Sequence, residues 1–472
     1  MTKKILPIPG LAAAVALAVA TALAAQQTDI LVKVTGGERP AIAIPDFRGS
    51  GDAQKHMETF NRTLWDDVQA SGLFKMAPKS MYPLQTPQQP QDFRPPLAPP
   101  APPARPARRG APPPKPVRQG PWLDDWSGPP VNANYLAFGY TAIQGDRLVL
   151  FGWLYDVTQA DTSGAQVIGK LYFGSPDPAG ARKVAQEFAS DILSRFGGKS
   201  LMGSRIFFVS TRTGNKEIWS MDYDGSNQKQ LTFYKSISTF PAVSPDGSKI
   251  AFTSYLRGNP AILVHSVETG RDLRFYNQAA SMNAASDFTP DGRQLVFSST
   301  AGSLRYAQLF IAGVDGGNFR RLSNSQSIEV EPKVNPKTGR EIVFVSGRSG
   351  MPQIYKMNMD GADVVRLTSG EGEAVNPAWH PDGQHIAFAW TRGYEPGNYN
   401  IFVMDVATRQ FVQLTHGTGR NENPSWAPDG RHIVFSSNRE GGQQVWTMQA
   451  DGKDLKRLTT QGVNEKPVWS KQ

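Results

Sequence analysis

Two stretches decide the fold: Asn376-Pro377-Ala378-Trp379-His380-Pro381-Asp382-Gly383 and Asn423-Pro424-Ser425-Trp426-Ala427-Pro428-Asp429-Gly430. Their Pro-Asp-Gly ends recur as Pro245-Asp246-Gly247 and Pro290-Asp291-Gly292, and in the variant Pro336-Lys337-Thr338-Gly339. The five prolines are spaced 45, 46, 45 and 47 residues apart. A period near 45 with four short apolar runs per unit is the pattern of propeller blades. Around Trp426 the four runs are Pro424-Ser425-Trp426, Ile433-Val434-Phe435, Val445-Trp446-Thr447-Met448 and Arg457-Leu458-Thr459. Pro-Asp-Gly reads as the turn between the first two strands, with Pro fixing one φ and Gly taking a left-handed one. Asp224-Gly225, Asp360-Gly361 and Asp451-Gly452 mark a second turn before the last strand.

Last strands fall at Leu231-Thr232, Leu273, Leu322-Ser323, Leu367-Thr368, Leu414-Thr415 and Leu458-Thr459, which makes six blades. The first unit starts at Arg205 with its second strand, and Pro467-Val468-Trp469 is a first strand without a unit. The two fragments are expected to complete one blade together and close the ring over residues 203–472, removing exposed edge strands.

Working outward, residues 26–200 read as an α/β domain, so the fold class is an α/β N-terminal domain followed by an all-β six-bladed propeller. Strands are expected at Ile30 to Val34, Ala41 to Ile44, Leu73 to Met76, Tyr135 to Thr141, Arg147 to Val157 and Val167 to Phe173. Met57, Phe60, Leu64 and Val68 recur at helical spacing, as do Val184, Phe188, Ile192 and Phe196. Between Pro83 and Pro130 lie 17 of the 37 prolines with almost no aliphatic side chains, so this stretch is expected to be a disordered insertion. At the start, Lys3 and Lys4 precede an apolar run to Ala25 that ends in Ala22-Leu23-Ala24. This is the layout of an export signal, residues 1–25, cleaved after Ala24 or Ala25.

Composition narrows the chemistry. There is no cysteine, which excludes disulfides, thiolate metal sites and a catalytic thiol. Lys3 and Lys4 supply two of the nine excess positive charges. Arg94, Arg105, Arg108, Arg109, Lys115 and Arg118 supply six more from the proline-rich stretch, so one remains for everything else and no basic face for nucleic acid is indicated. Six histidines form no HExxH, and there is no Gly-x-Ser-x-Gly, P-loop or dinucleotide fingerprint. His385 and His432, at the starts of second strands, are expected to be solvated strand-edge residues. No catalytic residue, metal ligand or cofactor is assigned.

What remains is a surface. Residues just ahead of each first strand are expected to line one mouth of the channel: Thr239 and Phe240, Asn283, Glu329 and Glu331, Asn376, Asn421, Glu422 and Asn423, Glu465 and Lys466. Carboxylates and carboxamides dominate the set, which suits a peptide or a partner loop. An idle rim, or a metal held by Glu329, Glu331, Glu422 and Glu465, is the plainer alternative.

The domain order, the signal segment and the Asn-Pro-x-Trp units resemble the TolB family, periplasmic components of the Tol-Pal system of Gram-negative bacteria, over nearly the whole exported chain. The proline-rich stretch is longer than the family pattern. The resemblance implies a non-enzymatic periplasmic adaptor, a monomer within the Tol-Pal complex and not inserted in the membrane. It implies binding of the lipoprotein Pal at the propeller mouth and of TolA through the N-terminal segment of the exported protein, Asp29, Ile30, Leu31, Val32, Lys33 and Val34. These contacts would support outer-membrane integrity and envelope constriction in cell division. Glu331 in Glu331-Pro332 matches a mouth-lining Glu-Pro of the family. A propeller module of a peptidase-like enzyme and a glycan-binding propeller are the competing classes.

Overall fold

The computed structural model describes residues 39–94, 120–417 and 419–470. The export signal and the Asp29–Val34 segment lie outside them. Two compact units are separated between Met202 and Gly203.

In the first unit a mixed sheet runs in the order Lys75–Met76, Ala41–Ala43, Tyr135–Gln144, Arg147–Asp156, Gln166–Gly174, and Arg48–Ser50 also pairs with Tyr135–Gln144. Helix α1 (Met57–Ala70) and helix α2 (Pro178–Arg195) carry the two expected apolar stripes. Asp177 starts α2 by accepting the Gly180 N–H at 2.7 Å, with Pro178 at the first helical position. Phe60, Leu64, Val184, Phe188 and Ile192 are packed with Ile42, Leu148, Leu150 and Leu154 in one core.

The proline-rich stretch corrects the expectation of disorder at both of its ends. Phe93 stacks on Tyr155 with ring centroids 5.7 Å apart and meets Phe138 edge-on at 5.4 Å. Trp122, Leu123 and Trp126 are buried, and Asp124–Ser127 is helical. Burying a large apolar side chain contributes about 1.5–3 kcal/mol, so these few aromatics order 83–94 and 120–130 despite the missing aliphatics. Residues 95–119 lie outside the described part.

In the second unit six sheets follow the expected strand pattern. The innermost strands are Asn464–Trp469, Ser238–Val243, Asn283–Phe288, Glu329–Val334, Ala374–Trp379 and Asn421–Trp426, for the first to sixth blade in that order. Each packs against the next around the ring. Pro-Asp-Gly closes its turn as expected: Gly383 N–H donates to His380 O at 3.0 Å, and Gly383 has φ +71°. Two residues beyond the last strands a hydroxyl accepts the N–H of the second residue of the third strand, as Thr232, Thr368, Thr415 and Thr459 do at 2.8 to 2.9 Å. The second blade lacks that Leu-Thr pair. Asn277 Oδ1 takes its place on Ile262 N–H at 2.7 Å, and the fourth strand shrinks to one bridge between His265 and Asp272.

The ring is closed by Asn464–Trp469 pairing antiparallel with Arg205–Ser210, in the register Asn464 to Ser210 and Trp469 to Ile206. Trp469 is buried, and its Nε1 donates to Ser204 Oγ at 3.0 Å. No helix among the described residues is long and apolar enough to cross a membrane.

Removing residues 464–472 is expected to lower the thermal midpoint by about 10 °C or more. Losing a buried Trp alone costs about 3–5 kcal/mol, and each kcal/mol is worth roughly 2–4 °C at this size. An unchanged melting curve would contradict closure. A second expectation concerns pH. The Ser244 and Ser248 hydroxyls hold the Asp246 carboxyl down at about 2. Because the folded value lies below the unfolded one of about 3.9, the stabilisation is present above that value and is lost as pH falls through about 2. Asp246→Asn should therefore be less stable than the parent in urea at pH 6, and the gap should close as pH falls from about 4 towards 2.

Candidate functional site

Every innermost strand carries a bulge. In five of them a non-glycine residue with positive φ precedes a buried proline: Phe240 (52°), Glu331 (57°), Asn376 (54°), Asn423 (53°) and Lys466 (51°). A left-handed conformation costs such a residue about 1–3 kcal/mol. The bulge turns its side chain away from the ladder. Only the third blade differs: Ala285-Ser286-Asp287 has neither proline nor left-handed residue, and Ser286 Oγ donates to Pro332 O of the next blade at 2.8 Å.

The bulge residues are linked blade to blade. Glu331 accepts both the Asn376 backbone N–H at 2.7 Å and its Nδ2 at 2.9 Å. Asn376 Oδ1 in turn accepts the Asn423 N–H at 3.2 Å. Across the closing blade, Lys466 Nζ lies 4.3 Å from the centre of the Phe240 ring. Beside them, Glu465 pairs with Lys216 at 2.6 Å and Glu422 with Arg420 at 2.8 Å. The Glu422 carboxylate raises the Arg420 guanidinium pKa above its ordinary value. Arg420 is exposed, and the other side chains are part-exposed.

The structure divides the expected set. Phe240, Glu331, Asn376, Glu422, Asn423, Glu465 and Lys466 are brought together, inside the first strands instead of ahead of them. Asn283, Glu329 and Asn421 are not part of an open rim: each is buried at the first position of its strand, and Thr239 is buried at the second of its own. A polar side chain there has to be satisfied internally. Asn283 accepts from Ser299 at 2.7 Å and Asn421 from Ser437 at 2.8 Å, and Glu329 accepts from Ser346 at 3.1 Å. His385 and His432 are likewise buried, not solvated, with Nδ1 atoms 2.7 Å from Asp382 and Asp429.

Sequence reasoning passed over the residues that hold those buried groups. Ser210-x-Arg212, Ser346-x-Arg348 and Ser437-x-Arg439 end the second strands of three blades, and each Arg Nε donates to its Ser at 3.0 to 3.1 Å. The same guanidinium reaches Asn464 at 3.2 Å, the Glu329 carboxylate, or Asn421 at 2.7 Å. It also lies over an aromatic ring, as Arg212 does 4.4 Å from Trp219. The signal was there, as Ser-x-Arg at blade spacing.

These features define a class: a six-bladed propeller preceded by an α/β unit, with left-handed, mostly polar residues at the bulges of five innermost strands. The sequence profile of the TolB beta propeller domain, built of PD40 repeats, matches residues 195–390 and 368–472. The chain belongs to the TolB family. A TolB homolog of Chlorobium luteolum is 34% identical over 343 residues, 72% of this chain and 75% of that protein. The Tol-Pal system protein TolB of Bordetella pertussis is 31% identical over 51% of this chain and 53% of its own length. The crystal structure of TolB from Acinetobacter baumannii has a TM-score of 0.72 at 21% identity, over 92% of this chain and 97% of that one, a likeness of fold.

Arg348→Ala is expected to destabilise the propeller by about 3–5 kcal/mol, because it strands the buried Glu329 carboxylate. Adding Glu329→Gln should recover part of that loss in chemical denaturation. A loss below about 1 kcal/mol would show that the clamp contributes little.

Proposed function

We propose that this protein is a non-enzymatic periplasmic adaptor of the Tol-Pal system. It binds the lipoprotein Pal at the propeller mouth and TolA through the exported N-terminal segment, Asp29 to Val34. These contacts serve outer-membrane integrity and envelope constriction during division. The observation that carries the reading is the set of five left-handed residues before proline. Backbone strain repeated at one ring, with the prolines buried and four polar side chains and Phe240 part-exposed, supports a preorganised contact surface. The mixed charge of Glu422, Glu465, Lys466 and Arg420 suits a protein partner with its own paired charges more than a uniformly charged polymer. Pal at the mouth and TolA at the N-terminal segment act on one balance: docking at one site shifts the availability of the other.

Capture of purified Pal tests this. Glu331→Lys should weaken binding by at least about tenfold, or roughly 1.4 kcal/mol. Glu331→Gln keeps an acceptor for Asn376 and should weaken it less. Both proteins should melt close to the parent temperature, so that lost binding is not lost fold. Undiminished capture by Glu331→Lys would move the interface elsewhere. Deleting residues 26–34 should abolish TolA capture and, because coupling is reciprocal, change Pal affinity without abolishing Pal binding.

A further inference from the structure

One turn of the fifth blade differs from its counterparts. In the second and third blades the residue ahead of Pro-Asp-Gly is Ser244 or Thr289, whose hydroxyl donates to the turn aspartate at 2.5 and 2.6 Å. In the sixth blade it is Ala427. In the fifth it is His380, and a second imidazole, His385, follows the turn. Ligand atoms of His380, Asp382 and His385 all lie within 4.8 Å of one another. Asp382 Oδ1 is 3.0 Å from His380 Nδ1, and its Oδ2 is 2.7 Å from His385 Nδ1.

The turn holds the three groups in place. His380 N–H donates to His385 O at 2.9 Å, while Gln384 and His385 N–H donate to Asp382 Oδ1 at 2.7 and 3.2 Å. The His380 ring stands edge-on to Trp426 with centroids 4.6 Å apart.

Two observations point to a ligand. His380 Nδ1 accepts the Asp382 N–H at 3.1 Å while Nε2 faces the Gly430 carbonyl at 2.9 Å. Nε2 therefore carries the ring hydrogen, and Nδ1 turns its lone pair on a carboxylate oxygen, which is unfavourable without a cation between them. An imidazole with its far N–H tied to a backbone carbonyl is the usual arrangement of a metal-ligating histidine. The second observation is His385 Nε2, which is buried with no hydrogen-bond partner and has Asp405 Oδ2 at 3.9 Å. Without an ion His385 Nδ1–H donates to Asp382 Oδ2 at 2.7 Å; an ion bound to Nδ1 takes the place of that hydrogen, and the ring hydrogen moves to Nε2, 3.9 Å from Asp405 Oδ2.

We propose that His380, Asp382 and His385 bind a divalent metal ion of borderline softness, Zn²⁺ being the type, through two imidazole Nδ1 atoms and one carboxylate. Nitrogen and oxygen donors in this number suit Zn²⁺, Co²⁺ or Ni²⁺. Water completes the shell on the side where Asp382 is about one-third exposed. Since His380 also holds Gly430 of the sixth blade, the ion fastens two blades together.

The untagged protein, stripped with chelator, is titrated with Zn²⁺ by calorimetry and with Co²⁺ by visible absorption. One equivalent should bind and raise the thermal midpoint. His380→Gln and His385→Gln should each weaken binding by at least about tenfold, and His432→Gln, at the matching sixth-blade position, should not. Absence of a one-equivalent step, or undiminished binding by both fifth-blade variants, would overturn the site. Nitrogen-15 imidazole spectra of the unsubstituted protein give the same answer without relying on variants that fold. Shifts of two histidine Nδ1 signals on adding Zn²⁺ support the site, and unchanged signals contradict it.

Discussion

The pairing of Asn464–Trp469 with Arg205–Ser210 is the constraint on which the propeller depends. A strand from the far end of the unit completes the first blade, so every blade has its innermost strand. Closure fixes the separation of the six innermost strands. Only at that separation can Glu331 reach the backbone of Asn376, and Asn376 that of Asn423. With no cysteine in the chain, the cross-blade tryptophan bonds, such as Trp379 Nε1 to Lys333 O at 3.0 Å, do part of the work that staples do in smaller exported domains.

The innermost strands place buried and part-exposed side chains within three consecutive residues. In the third, fourth and sixth blades the first position is a buried polar residue satisfied by Ser, or by Ser and Arg, from the second strand of the same blade. In every blade but the third, the third position is left-handed and part-exposed. Buried polar networks of this kind are stable only when every member is satisfied, which makes the clamps intolerant of change. The bulge residues are freer to vary in chemistry, as Phe240, Glu331, Asn376, Asn423 and Lys466 do. Variation of side chain on a fixed backbone is what a specific docking surface requires.

The architecture was legible because it repeats. Pro-Asp-Gly at a spacing near 45 residues places the turns, and the unpaired Pro467-Val468-Trp469 announces closure. The candidate site was legible only by position. Sequence spacing located the strand starts but could not say that Glu329 faces Arg348 while Glu331, two residues on, does not follow strand alternation. The bulge between Val330 and Lys333 breaks the period of two on which such a reading relies. The ends of the proline-rich stretch were misjudged for a different reason. Average composition hides single anchors: Phe93, Trp122 and Trp126 are each buried, and one large aromatic is enough to pin its segment. His385 and His432 were judged by strand position alone, and the Asp that draws each of them inward sits three residues earlier.

The central claim is that the ring of bulge residues is where the partner docks. Hydrogen exchange of the full-length exported protein, with and without saturating Pal, tests it most directly. The account predicts slowed exchange confined to 239–241, 330–332, 375–377, 422–424 and 465–467, and to the loops that lead into them. Protection at the Pro-Asp-Gly turns or in the α/β unit, with these segments unchanged, would contradict it.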